Sequence, residues 1–253
     1  KRLPSKGKGA LLYVEEKGMP DPNRNTKQPE GNRRPYRFLL VMDFEATCDD
    51  RNWRPEIIEF PAVLIDLEGN INGPIIHEFQ SFVRPTERPM LTKFCTELTS
   101  IRQVEVDQAD ELKVVIQRFD AWLQNHGIES SQDALTVFCG NWDMRVCLSK
   151  ECERKNIRGL VPQVLLTWCN IKDAFAAYMG PGKKGGMKRM LDVLGLPLLG
   201  RHHRGIDDCR NIATIAGCLM DMGCELSPTS VAPIGKSRAM FRPEKQHEDE
   251  DET

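Results

Sequence analysis

The chain has 253 residues, of which 40% are hydrophobic and 28% are charged, and its formal net charge is −2. This length suits one sizeable folded core with additional tails. The near-neutral charge excludes a globally basic nucleic-acid-binding protein, so such binding would need a local patch. No apolar run approaches the roughly 18 residues that span a membrane. Nine scattered cysteines without a C-x-x-C pair disfavour a zinc site and favour reduced thiols in an intracellular protein.

The two ends of the chain differ from its middle in composition. Residues 1–35 are rich in Lys, Arg, Pro, Gly and Asn and lack a sustained hydrophobic period, which predicts a basic, disordered N-terminal tail. Residues 227–253 end in an acidic run, and we expect a disordered acidic C-terminal tail there. The folded domain is therefore predicted over residues 36–226.

The folded domain begins with predicted strands. Residues 38–42, FLLVM, form an apolar run that indicates a strand buried on both faces. Residues 56–66 and 75–84 are predicted as the next two strands, and the short turn between them favours an antiparallel pair. Pro61 lies inside the first of these, which indicates an edge strand or a bulge.

Helices follow, with one further strand among them. Apolar spacing predicts helices over residues 91–98, 110–126, 144–155, 171–178, 187–194 and 206–222, and a fourth strand over residues 134–139. Strands first, then helices mixed with strands, predict an α/β domain with a mixed sheet. In such a domain, reactive loops lie where strands end and helices begin.

Asp43 and Glu45 come directly after the first predicted strand. Residues two apart on a strand point to the same side, so two carboxylates are expected side by side at its exit. Buried together they repel each other, and a hard divalent cation such as magnesium or manganese compensates them. A single D-x-E pair after an apolar run is a weak signal, because a solvated acidic turn explains it equally well.

Two further places carry ionisable groups at element boundaries. Asp143 follows the strand at 134–139, and His203 and Asp208 lie where a loop enters the last helix. Structural alternatives exist, since Asp143 suits a helix N-cap and Asp208 complements a helix dipole. As a set, four carboxylates in one cleft suit two divalent cations about 3.5–4 Å apart. A histidine with a pKa of about 6.5 is suited to accept a proton from water.

The flanks of these three blocks carry further motifs, namely MDFEATC, EIIEFPAVL, FVRP, FCTELTSI, GNWD and GIDDCRNIA. Together with Asp43-x-Glu45, Asp143 and His203-x-x-x-x-Asp208, they resemble the three motifs of the DEDDh, or DnaQ-like, 3′–5′ exonucleases. The flanks are similar to the branch of three-prime histone mRNA exonuclease and the enhancer-of-RNAi exoribonucleases. The resemblance implies an exonuclease domain over residues 36–226. It also implies a ribonuclease-H-like α/β fold with a mixed five-stranded sheet flanked by helices.

The resemblance implies a role for each matched residue. Asp43 would bridge two Mg²⁺ ions, for which Mn²⁺ is expected to substitute. Glu45 and Asp208 would complete one metal site, and Asp143 would serve the other. Glu45 would also contact the terminal 3′-hydroxyl of the substrate, and His203 would act as the general base.

A second histidine stands next to the predicted base. His202 has the same spacing to Asp207 as His203 has to Asp208. The family pattern H-x-G-[LI]-D-D matches residues 203–208, which favours His203 with Asp208 as the functional pair.

Substrate contacts follow from the chemistry of a single-stranded 3′ end, whose bases stack on aromatic side chains. Phe94 and Trp142 stand at matching family positions, and Glu45 and His203 are expected beside the terminal nucleotide. Core packing is the alternative for both aromatic residues. The basic loop at 180–186, GPGKKGG, would cradle phosphates or form a solvated loop.

These features predict a Mg²⁺-dependent exoribonuclease that removes nucleoside 5′-monophosphates from RNA 3′ ends, in RNA processing or in the trimming of small RNA or rRNA. Its expected partner is RNA that is single-stranded at least at the 3′ terminus, with no membrane partner and no indicated protein partner. A DNA exonuclease is an alternative, because sugar discrimination depends on contacts to the 2′-hydroxyl. A nucleic-acid-binding scaffold is another, although the intact catalytic set disfavours it. The expected location is cytoplasmic or nuclear, with an organelle left open because the chain does not begin with Met.

Overall fold

The computed structural model describes residues 35–48, 54–70 and 73–232. The predicted N-terminal tail lies outside the described residues except for residue 35, and residues 233–253 of the predicted C-terminal tail also lie outside them. Among the helices of the described part, none has both the length and the apolar character needed to cross a membrane.

One mixed sheet organises the described part of the chain. Its seven strands are β1 Phe38–Met42, β2 Glu45–Ala46, β3 Ile57–Asn70, β4 Gly73–Phe82, β5 Ala134–Phe138, β6 Thr167–Asn170 and β7 Ser230–Val231. β1 lies between β3, which is antiparallel to it, and β5, which is parallel to it. The α/β class and the mixed sheet are confirmed. The sheet has seven strands instead of the predicted five. Five of them have four or more residues, and the other two, β2 and β7, have two residues each. Strands this short carry no hydrophobic pattern.

Seven α-helices cover the sheet in the described residues. They are α1 Lys93–Thr99, α2 Gln103–Asp107, α3 Leu112–Asn125, α4 Ser149–Arg154, α5 Ile171–Met179, α6 Met187–Leu194 and α7 Gly205–Asp221. The helix predicted over 144–155 is a π-helical turn, Asp143–Leu148, continued by α4. The short α2 and β6 were not predicted, because neither is long enough to show a clear period.

Strand β1 is buried on both faces, as its unbroken apolar run predicted. Phe38, Leu40 and Met42 pack in the core that contains α3, on one side of the sheet. Leu39 and Val41 pack in the core that contains α7, on the other side. The segment that leaves β1 is therefore held between two packed layers.

Pro61 lies in an interior strand, so the expectation of an edge strand is wrong. β3 pairs with β4 on one side, and on the other side with β1 as far as Ala62 and with β2 from Glu59. Pro61 stands opposite the break between β1 and β2, where its missing N–H interrupts no ladder on that side. This break contains Asp43 and Phe44.

The fold continues past residue 226, so the predicted C-terminal tail begins too early. The N–H of Thr229 donates to the carbonyl of Trp168 at 2.9 Å, and the N–H of Ala232 donates to the carbonyl of Leu166 at 2.8 Å. β7 pairs antiparallel with β6 between these two bonds. Backbone pairing of this kind leaves no hydrophobic pattern in the sequence, which is why the segment resembled a tail.

Candidate active site

Three of the predicted carboxylates meet at the break between β1 and β2. Asp43 follows β1, Glu45 begins β2, and Asp208 lies in the first turn of α7. Their ligand oxygens all lie within 4.8 Å of one another. Residues far apart in sequence thus form one acidic cluster, which we call the acidic site.

Gly205 allows α7 to begin this close to the sheet. A Cβ atom at Gly205 would lie 2.8 Å from the carbonyl oxygen of Asp43 and 2.9 Å from Cγ of Pro61. Real Cβ atoms do not tolerate such distances to backbone atoms, so the position requires glycine. The close approach places Asp208, three residues further along the helix, beside Asp43.

Asp143 joins the acidic site from the carboxyl end of β5. It is buried at the first position of the π-helical turn, and its Oδ1 accepts the N–H of Phe44 at 2.9 Å. This bond ties Asp143 to the residue between Asp43 and Glu45. The alternative of a helix N-cap is not realised, because Asp143 lies inside the π-helical turn rather than before it.

The carboxylates of the acidic site lack sufficient compensating charge. Burial raises the pKa of Asp43 well above its usual value, and the charge of Asp143 adds to this effect. Burial and the charge of Asp208 raise the pKa of Glu45 to about 9. Burial also raises the pKa of Asp143 to about 6, although the N–H of Phe44 opposes the shift. Oxygen ligands that repel one another in a buried site fit a hard divalent cation.

Two histidines lie in the loop before α7, and both approach Asp208. The backbone N–H of His203 donates to Oδ2 of Asp208 at 2.8 Å, and Nδ1 of His202 lies 3.2 Å from the same oxygen. The two rings stack with their centroids 3.9 Å apart. His203 has a φ of 65°, which is uncommon for a residue other than glycine. Burial and the charge of His202 lower the pKa of His203.

The two predicted base-stacking residues are exposed near this site. Phe94 is 55% exposed in the first turn of α1, and Trp142, which directly precedes Asp143, is 36% exposed. The N-cap of α1, Thr92, donates its hydroxyl to the carbonyl of Cys48, shortly after β2. Both side chains are therefore accessible to a ligand. Their exposure argues against the alternative that they pack in the core.

Two charged residues of this region were not predicted. Glu59 is fully buried on β3, directly opposite Glu45 in the strand pairing. An acidic residue inside the apolar run of β3 was a signal that sequence reasoning passed over. Lys172, in the first turn of α5, lowers the pKa of both Asp43 and Asp143 through its charge. No local pattern marks Lys172, because only the fold brings α5 to this edge of the sheet.

The fold and the acidic site define a nuclease-type domain, and sequence comparison identifies its family. Residues 40–216 match the family model described as Exonuclease, RNase_T. The chain therefore belongs to the exonuclease family, in its DEDDh branch, as its motifs predicted.

Three similar proteins indicate which members of the exonuclease family this chain resembles. ERI1 exoribonuclease 2 of Danio rerio is 39% identical over 228 residues, which cover 82% of this chain and 39% of the relative. ERI1 exoribonuclease 3 of Homo sapiens is 40% identical over 197 residues, which cover 77% of this chain and 57% of the relative. The chain thus matches less than two thirds of the length of these two relatives. The crystal structure of the nuclease domain of 3′hExo, a DEDDh family member bound to rAMP, has a TM-score of 0.70 and 32% identity, covering 78% of this chain and 98% of that one.

Proposed function

We propose that this protein is a Mg²⁺-dependent 3′–5′ exoribonuclease that releases nucleoside 5′-monophosphates from RNA 3′ ends. The observation that carries the proposal is the acidic site, where the ligand oxygens of Asp43, Glu45 and Asp208 lie within 4.8 Å of one another. The raised pKa of Glu45, about 9, supports a site that requires a cation to hold its charge at neutral pH. The exoribonuclease names of the relatives support the type of reaction.

The residues of the acidic site fit divalent cations. Asp43, Glu45 and Asp208 would hold one ion, and Asp143, together with Asp43, would hold a second. Bound Mg²⁺, or Mn²⁺ in its place, supplies positive charge that lowers the pKa of water and stabilises the charge that develops at phosphorus. The chain itself contributes the positions of these oxygens, because the break after β1 and the start of α7 are both fixed by packing.

His203 is proposed as the base that accepts a proton from the attacking water. Its lowered pKa keeps the imidazole neutral at physiological pH, which a proton acceptor requires. Asp208 engages His203 through the backbone N–H, whereas it engages His202 through the ring nitrogen Nδ1. The ring of His203 is therefore better suited to receive a proton from water, and His202 is better suited to orient Asp208.

The proposed substrate is the single-stranded 3′ end of an RNA. Exposed Phe94 and Trp142 offer flat surfaces on which terminal bases stack. Glu45 would contact the terminal 3′-hydroxyl, and this contact would favour cleavage at chain ends over cleavage of internal bonds. The relative bound to rAMP supports recognition of a ribonucleotide.

Degradation assays test the proposed function. Single-stranded RNA labelled at its 5′ end should shorten stepwise with Mg²⁺ or Mn²⁺, should release 5′-monophosphates, and should remain intact with chelator. A 3′-phosphate on the RNA should slow the reaction, and a circular RNA should resist it. DNA of the same sequence serves as the comparison, and faster loss of DNA would replace the proposal with a DNA exonuclease. Binding of RNA without degradation under any metal condition would indicate a scaffold.

A further inference from the structure

Glu59 is a buried carboxylate of the site region that is not one of the proposed metal ligands. Its side chain is fully buried on β3 and lies opposite Glu45 in the pairing of β2 with β3. Burying a charged side chain is costly unless it is hydrogen-bonded or paired. The groups that pair with the Glu59 carboxylate therefore indicate what role this acidic residue has in β3.

The partners of Glu59 belong mainly to the segment that carries the histidines. Oε2 of Glu59 accepts the N–H of Gly205 at 3.0 Å and lies 3.8 Å from Nε of Arg204. Oε1 accepts an N–H from the side chain of Gln80 at 2.7 Å. Arg204 in turn lies over the ring of Phe82, 4.9 Å from its centroid. One carboxylate thus joins the start of α7 to two strands of the sheet.

The position of this junction determines where two functional residues lie. Arg204 and Gly205 directly follow His203 and precede Asp208 by a single helical turn. The backbone of His203 has a left-handed conformation, and its N–H is committed to Asp208. A shift of the junction would therefore move the base and a metal ligand together.

We propose that Glu59 is a positioning residue, which holds Arg204 and Gly205 so that His203 and Asp208 keep their places against β2. The inference rests on the proposed function for its effect on catalysis, and on the hydrogen bonds of the junction for its structural part. Groups of an active site need to be held to within a fraction of an ångström, and a displacement of about 1 Å costs roughly 10²-fold in rate.

The chain contains a matched control for this role. Glu56 is also fully buried, and it also accepts backbone N–H groups from a loop, those of residues 86–88. Its charged partner is Lys155, at 2.9 Å. Both glutamates anchor a loop to the start of β3, but only the loop held by Glu59 carries residues of the acidic site.

The test compares Glu59→Met and Glu59→Gln with Glu56→Met and Glu56→Gln in steady-state degradation of a short RNA. Glu59→Met should lower kcat by roughly 10²-fold, with KM within about twofold of the unaltered protein because base stacking is untouched. Glu59→Gln keeps one oxygen acceptor, but it loses the charge that faces Arg204 and the second oxygen that accepts from Gln80. The junction should therefore loosen partly, and kcat should fall by about tenfold. The Glu56 variants should lower the unfolding temperature and leave kcat of the folded protein within about twofold.

Amide hydrogen exchange provides a readout that does not depend on activity. Exchange over residues 199–206 should become faster in the Glu59 variants and stay unchanged in the Glu56 variants, which should instead accelerate exchange over residues 84–90. An inactive unaltered protein with this exchange pattern would overturn the proposed function and keep the anchoring role. Unchanged exchange in Glu59→Gln, or a folded Glu59→Met with unaltered kcat, would overturn the positioning role. If Glu59→Met does not fold, Glu59→Gln decides the outcome.

Discussion

Two clusters of buried acidic side chains lie near β2 and the start of β3, and they differ in how their charge is compensated. In the acidic site, burial and the charge of Asp208 raise the pKa of Glu45 to about 9. In the second, which we call the Glu56 cluster, Glu56 and Glu151 are fully buried, and Lys155 pairs with both, at 2.9 and 2.7 Å. Burial acts to raise the pKa of both carboxyls. In Glu56, hydrogen bonds from Lys155 and the N–H groups of residues 86–88 outweigh burial and lower the pKa. In Glu151, burial prevails over Lys155, and the pKa is raised.

The difference favours a structural role for the Glu56 cluster and fits the catalytic role proposed for the acidic site. The Glu56 cluster finds its cation and its N–H donors within the chain, so it joins a loop and α4 to the sheet. In the acidic site, burial and the neighbouring carboxylates outweigh the charge of Lys172 and raise the pKa of Asp43 well above its usual value. Such an arrangement costs stability and is retained where a bound cation and a reaction require it.

The largest effect is expected from removing the charge at the centre of the acidic site. Asp43→Asn should lower single-turnover cleavage of RNA by about 10⁴-fold or more, a large part of the acceleration of about 10⁶-fold or greater that enzymes provide. The unfolding temperature in chelator should rise, because the raised pKa of Asp43 means that its ionisation destabilises the folded state at neutral pH. Near-normal cleavage by this variant would contradict the metal assignment.

The next largest loss of activity is expected from replacing His203, the proposed general base. His203→Ala should lower cleavage by roughly 10²- to 10⁴-fold, the usual contribution of a general base. His202→Ala should lose far less, since this ring contacts Asp208 instead of the proposed water. Single-turnover cleavage by both variants measures the difference. An inactive His202→Ala beside an active His203→Ala would reverse the assignment of the two histidines.

Removing the cation of the Glu56 cluster should lower stability without affecting catalysis. Lys155→Met leaves Glu56 and Glu151 buried without their shared cation, which typically costs about 3–5 kcal/mol of unfolding free energy. Urea denaturation measures this loss, and kcat at a temperature where the variant is folded should equal that of the unaltered protein. A parallel fall in kcat would show that the two clusters are coupled.

Truncating the exposed aromatic residues should weaken substrate binding. Phe94→Ala and Trp142→Ala should each cost roughly 1–3 kcal/mol of binding if each stacks one base. KM for a short RNA should rise accordingly, while kcat changes little. Val114→Ala, an exposed apolar position on α3, serves as the control. An unchanged KM in both aromatic variants would remove them from the substrate path.

The smallest expected effect is the dependence of stability on pH that arises from Glu56. The folded-state pKa of Glu56 lies below its ordinary value of 4.5, so its contribution to stability is present above pH 4.5 and is lost as the pH falls through the lower folded value. Glu56→Gln should therefore be less stable than the unaltered protein by about 1 kcal/mol at neutral pH, with a smaller difference in acid. Urea denaturation between about pH 3 and 7 measures the difference. A constant difference across this range would show that the charge of Glu56 is not involved.

Local patterns in the sequence predicted a large part of the fold and the candidate residues. The apolar run of β1, the helical period of α3 and the bounds of α7 agree with the structure within two residues. The order of Asp43, Glu45, Asp143, His203 and Asp208 predicted the exonuclease family. The match of residues 40–216 to the family model confirms this prediction. These features depend on residue type and short-range spacing, which a sequence shows directly.

Contacts between distant segments were decided only by the tertiary structure. The bond between Glu59 and Gly205 joins residues 146 positions apart, and the steric limit at Gly205 arises from Asp43 and Pro61 on other elements. Likewise, the partner of Asp143 is the N–H of Phe44, 99 positions away, instead of its own helix. Burial, charge compensation and close approach depend on what the fold brings together, and periodicity within one element does not contain that information.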